Sequence, residues 1–134
     1  MKLNFPASLF GIFAALAATV GSTGANAGAP VALYTFPGGN AAQLPAGNLV
    51  ADPAGNLFGV AFAGGPHGVG EVFELSPPVA PSTTWTYAVL YSFTGGSDGG
   101  DPVAGLVRDA AGNLYGTTAR YGRPNCFYCG TAFE

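Results

Sequence analysis

Charge is what this chain has least of. Only 8% of its 134 residues are Asp, Glu, Lys or Arg, and there is a single His. Lysine occurs once, at Lys2, so residues 28–134 hold only Arg108, Arg120 and Arg123 as permanent cations. Seven carboxylates oppose them, for a net charge of 3 − 7 = −4. With no basic stripe to neutralise phosphates, nucleic acid is excluded as an expected partner. With no Lys/Arg face, attachment to anionic lipid is excluded too. Long apolar runs are also scarce. The longest, Leu9–Val20, has twelve residues, short of the roughly 20 that a helix needs to cross a bilayer. Beyond that run no stretch carries helical periodicity.

What is present begins with an address. One positive charge in "MKLN", the apolar run and the small-residue site Ala25-Asn26-Ala27 together read as a secretory signal peptide over residues 1–27. Cleavage after Ala27 would leave an exported chain, secreted or at the cell surface, with no membrane attachment of its own. That chain is rich in Gly, Thr and aromatic residues, a composition suited to one small domain of short β-strands.

The sequence also repeats itself. "LYTFPGG" (33–39) returns as "LYSFTGG" (90–96), and "NLVADPAGNLFG" (48–59) as "GLVRDAAGNLYG" (105–116), both at an offset of 57. "GEVFEL" (70–75) is answered by "GTAFE" (130–134) at an offset of 60, the three added residues lying around "CFYC". Three matches in one order make a tandem repeat, with units at 28–80 and 81–134. "TWTYAVLYSF" alternates, placing Trp85, Tyr87, Val89, Tyr91 and Phe93 on one buried face of a strand. "GLVRD", "NLYGTT" and "GTAFE" supply three more strands. The expected fold is all-β: antiparallel four-stranded units like propeller blades, about two of them, preceded by the signal-peptide helix. The Pro-rich "SPPVAPST" connects the units.

The most exact match, "DPAGNLFG" against "DAAGNLYG", is read as a hairpin turn. Asp52 and Asp109 can accept a backbone N–H two residues on, and Gly55 and Gly112 supply a positive φ without steric cost. Asn56 and Asn113 follow them into the next strand. Pro53 stands at the second position, where type I turns favour proline. A structural role for these residues is therefore expected over a catalytic one.

"VLYSFTGGSDGGDPVAGLVRDAAGNLYGTT", with "CGTAFE" downstream and "TWTYAVLYSF" at its start, closely resembles the GloVer tandem repeat of bacterial secreted and surface proteins. The resemblance covers 28–134, with the second unit the better match; the first has "NAAQLPAGN" for "SDGGDPVAG" and "VAFAGG" for "TTARYG". It implies a secreted or cell-surface, propeller-like β-repeat protein and no particular reaction. Propellers usually close with four to eight blades, so two units are expected to be a piece of a longer array. The alternative is a complete short chain that self-associates through open sheet edges.

Four motifs invite chemistry. Cys126 and Cys129 are expected to form a disulfide, the usual state of two cysteines in an exported chain. Free or intermolecular thiols are the alternatives; a redox pair would need a helix at the first Cys, and zinc two further ligands. "GGSDG" (95–99) fits the nucleophile elbow in letters only, because "GGDPVAG" cannot form the helix required after the Ser. Asp98 and Asp101 are weak candidates for a calcium site; the first unit has Ala41 and Leu44 there, so a solvated turn is the expectation. His67 reads as a loop residue. No catalytic residue and no cofactor is assigned. The expected function is a non-enzymatic scaffold, structural or adhesive, facing an extracellular ligand such as a glycan. The alternative is a fragment of an enzymatic or sugar-binding propeller whose site lies in other blades.

Overall fold

Apolar and aromatic residues at alternate positions, broken by Gly and Pro, give strands and turns throughout. The computed structural model describes residues 29–39 and 41–134; the leader expected over 1–27 lies outside the described residues. Seven strands follow in order: β1 (Gln43–Ala51), β2 (Leu57–Ala63), β3 (Glu71–Ser76), β4 (Thr86–Ser92), β5 (Val107–Arg108), β6 (Leu114–Thr117) and β7 (Ala132–Phe133). All are paired antiparallel, as β1-β2-β3-β4 in one sheet and β5-β6-β7 in a second. Among the described residues no helix is long and apolar enough to cross a membrane.

The matched sequences adopt matched registers. Val50 faces Phe58 and Ala51 faces Leu57 in the first sheet; 57 residues on, Val107 faces Tyr115 and Arg108 faces Leu114. Gly59 pairs with Phe73, and Gly116 with Phe133. Even the outlying pair Gln43–Ala63 has a counterpart in the bridge Gly100–Arg120. Leu44 and Asp101, also 57 apart, share a left-handed φ of 54°.

The sheets do not divide where the sequence units do. β4 begins after the connector, yet it closes the first sheet by pairing along β3. The expected single buried face of this strand is also corrected. Phe73 pairs with Val89 but Val72 with Tyr91, which leaves Leu90 as an extra residue in a bulge. An inserted residue reverses the in–out alternation beyond it. Tyr87 and Trp85 thus pack with Phe73 and Leu75 on one side of the sheet. Phe93 joins Val60, Val72 and Leu106 on the other, while Val89, Leu90 and Tyr91 are 44–48% exposed.

Both faces of the first sheet are therefore covered. Tyr34 and Phe36 lie over the Phe73 face, and Leu114 and Phe133 of the second sheet over the Val72 face. The central strands suit that position: Val60, Ala61, Val72 and Phe73 are at most 5% exposed. Each large apolar side chain so buried contributes about 1.5–3 kcal/mol.

Candidate functional site

The repeated turns hold the most recurrent polar residues of the chain. The Asp52 carboxylate accepts hydrogen bonds from the backbone N–H groups of Ala54 and Asn56 and from Asn56 Nδ2, each at 2.9 Å. Asp109 accepts from the N–H groups of Gly112 and Asn113 at 2.8 Å, from Asn113 Nδ2 at 2.9 Å and from the Tyr115 hydroxyl at 3.2 Å. The expected bond to the second residue onward thus forms at Asp52, whereas Asp109 uses the third and fourth. In both, the Gly N–H closes the turn onto the Asp carbonyl, and φ is 88° at Gly55 and 102° at Gly112. Desolvation acts to raise both carboxyls, but the bonds from Asn56 and Ala54, and from Asn113, Gly112 and Tyr115, outweigh it. Each carboxyl is held below its ordinary value. A carboxylate ionised this firmly and engaged this fully by its own turn is a poor general base.

The loop carboxylates also turn inward, to different partners. Asp98 accepts from the Thr94 N–H at 2.8 Å, from the Tyr91 hydroxyl at 3.0 Å and from the Gly96 N–H at 3.2 Å, with the Thr94 hydroxyl as a further donor. Desolvation raises this carboxyl, and the donors on Thr94 and Tyr91 overcome that to lower it. Asp101 is buried at 5% exposure and receives the Arg120 guanidinium at 2.9 Å. That guanidinium also stacks on the Phe127 ring, 4.7 Å from its centroid. Among the described residues no group of three or more His, Cys, Asp or Glu is placed to hold a metal.

Cys126 and Cys129 are joined in a disulfide across a turn, their Cα atoms 5.5 Å apart. The loop is ordered further by the edge-to-face pair of Tyr121 and Phe127 at 5.3 Å. Ser97 sits in a turn that leads into the bridge at Gly100, and His67 is exposed in the loop between β2 and β3.

One polar residue of note escapes a sequence reading. Glu71, at the start of β3, is 1% exposed, and its carboxylate accepts the Tyr87 hydroxyl. Desolvation raises its carboxyl above the ordinary value, while a backbone bond from Ala42 works the other way. Its counterpart in the second sheet is Thr131, whose hydroxyl lies 2.9 Å from that of Thr118 and donates to the Asp98 carbonyl at 2.9 Å. No local pattern marks "GEVFEL" as the place of a buried acid; its burial arises from tertiary packing, with Ala61 of β2 and Ser92 of β4 paired on either side.

A groove of about 520 Å³ lies between the end of β4 and β7. Tyr91, Phe93, Leu114 and Phe133 form its apolar walls, and Asp98 and Thr131 its polar rim. Its chemistry is that of an aromatic slot beside a strand edge, suited to holding a flat side chain or an extended segment. No family model, curated protein or solved structure matches the chain.

Proposed function

We propose that this chain is an exported, non-enzymatic β-repeat scaffold of GloVer type, secreted or at the cell surface, with a structural or ligand-binding role. The observation that carries this reading is the recurrence of one hairpin. Residues 48–59 and 105–116 share their strand registers, their Asp-to-Asn brackets and their positive-φ glycines. What recurs is the residues that shape the backbone, as in a scaffold whose units differ in their loops. The carboxylates of Asp52, Asp98, Asp101 and Asp109 are engaged within the fold, which favours a supporting role over catalysis. The aromatic groove and the loop around Cys126–Cys129 are the surfaces such a scaffold would present.

Export is tested by expressing the gene with its natural N-terminus in a bacterial host and fractionating the cells. The chain should leave the cytoplasm and begin at Gly28 by N-terminal sequencing. Retention in the cytoplasm with Met1 intact would overturn the reading.

A further inference from the structure

The first sheet shows how a place such as the groove is filled. Tyr87 of β4 stacks on Tyr34 at 5.2 Å and 9° between ring planes. It also packs against Phe36 at 6.0 Å and Phe73 at 5.9 Å, and donates its hydroxyl to Glu71. Each of these four neighbours has a counterpart at the repeat offsets: Tyr91, Phe93, Phe133 and Thr131. All four line the groove. The frame around the slot is also the same. Phe36 meets Phe73 at 5.1 Å and 66°, and Phe93 meets Phe133 at 5.1 Å and 66°. The difference is the occupant. β3 is paired along its outer edge by β4, whereas β7 is the outer strand of its sheet and Tyr91 is 47% exposed.

We propose that this groove is an acceptor for an added β-strand with the aromatic alternation of Trp85-Thr86-Tyr87, supplied by another unit of the same repeat. The strand would pair antiparallel with β7 as β4 pairs with β3, and set its tyrosine between Tyr91, Phe93 and Phe133. Backbone hydrogen bonds along an open edge provide affinity, and the slot for the alternate side chain provides selectivity. The polar end of the slot differs between the sheets. Thr131 replaces Glu71, so the incoming hydroxyl meets a neutral hydroxyl rather than a carboxylate. This inference rests on the repeat-scaffold reading above, but export could fail its test while strand acceptance passed, and the reverse.

The experiment titrates the isotope-labelled full chain with a synthetic peptide of the sequence Thr83–Phe93, followed by amide chemical shifts. The expected result is saturable binding of one peptide per chain, with shifts concentrated at 130–134 and around Tyr91. A peptide carrying Tyr87→Ala should bind about tenfold or more weakly, since it loses a stacked ring and its edge contacts. Tyr91→Ala in the chain removes a wall of the slot at an exposed position and should weaken binding similarly without unfolding. The proposal is overturned if a scrambled peptide binds equally, if the native peptide does not bind, or if the shifts map to the outer edge of β1. It is also overturned if the chain pairs β7 to β7 with a second copy and excludes the peptide.

Discussion

Truncating Phe73 to alanine should remove about 3–5 kcal/mol of stability, the usual cost of deleting a buried aromatic side chain. The ring is 1% exposed, meets Phe36 edge-on at 5.1 Å and lies 5.9 Å from Tyr87. It also covers Gly59, whose missing side chain leaves room for it: a Cβ built there would stand 2.7 Å from Phe73 Cζ. A domain of this size is stable by about 5–15 kcal/mol in all, so the variant should lie close to unfolding. Phe133 offers the internal control. It meets Phe93 edge-on at the same 5.1 Å but is only half-buried, so Phe133→Ala should cost roughly 2 kcal/mol by area burial. A double-mutant cycle between Phe36 and Phe73 should give a coupling of about 0.5–1.5 kcal/mol. Urea denaturation followed by fluorescence of the lone Trp85, which packs against this cluster, measures the parent and all four variants. If Phe73→Ala cost less than about 1 kcal/mol, or no more than Phe133→Ala, the packing described for the first sheet would be wrong.

Three further predictions follow from the same contacts. Gly59→Ala and Gly116→Ala should each destabilise by about 1–3 kcal/mol through overpacking, because a Cβ would stand 2.7 Å from Phe73 Cζ in the first case and press on the Phe133 ring and Leu106 in the second; thermal denaturation showing either alanine neutral would refute the close fit. Glu71 has its carboxyl raised by burial in the folded chain, so its contribution is fully present below the unfolded value near pH ~4.3 and is lost as pH climbs through the folded one. Glu71→Gln should therefore be more stable than the parent at pH 7, by about 1.4 kcal/mol for each pH unit of displacement, and denaturation curves of the two should converge near pH 4 and below. Asp52 and Asp109 have lowered carboxyls, so their stabilisation is present at neutral pH and lost as acid takes the pH down through the folded values; Asp52→Asn and Asp109→Asn should flatten that acid limb, and unchanged acid titrations would contradict the turn geometry.

How far the sequence disclosed this arrangement differs from feature to feature. The hairpins were legible because their cause is local: Asp, Gly and Asn at fixed spacing set the dihedrals and the hydrogen bonds within five residues. The course of β4 was not. Trp85, Tyr87, Val89, Tyr91 and Phe93 alternate without a break, and the bulge at Leu90 arises only when β3 is laid alongside. The same pairing hid the composition of the first sheet, since β4 follows the Pro-rich connector and joins the strands before it. Glu71 shows the limit for sites. Its carboxyl is raised by burial within the folded sheet, where pairing with β4 also brings the Tyr87 hydroxyl onto it from sixteen residues away, and a surface strand of the same sequence would leave it an ordinary acid. The groove beside β7 became visible by comparing two sheets rather than two sequences, because what marks it is a neighbour present in one and absent from the other.

The central claim is that residues 105–134 rebuild the sheet of residues 48–75 strand by strand, in the same register. Cross-strand proton contacts by NMR test it most directly. The account predicts contacts for Val107–Tyr115 and Gly116–Phe133 that mirror those for Val50–Phe58 and Gly59–Phe73. A second sheet shifted by one residue would turn Phe133 away from Phe93, and finding that register would contradict the account.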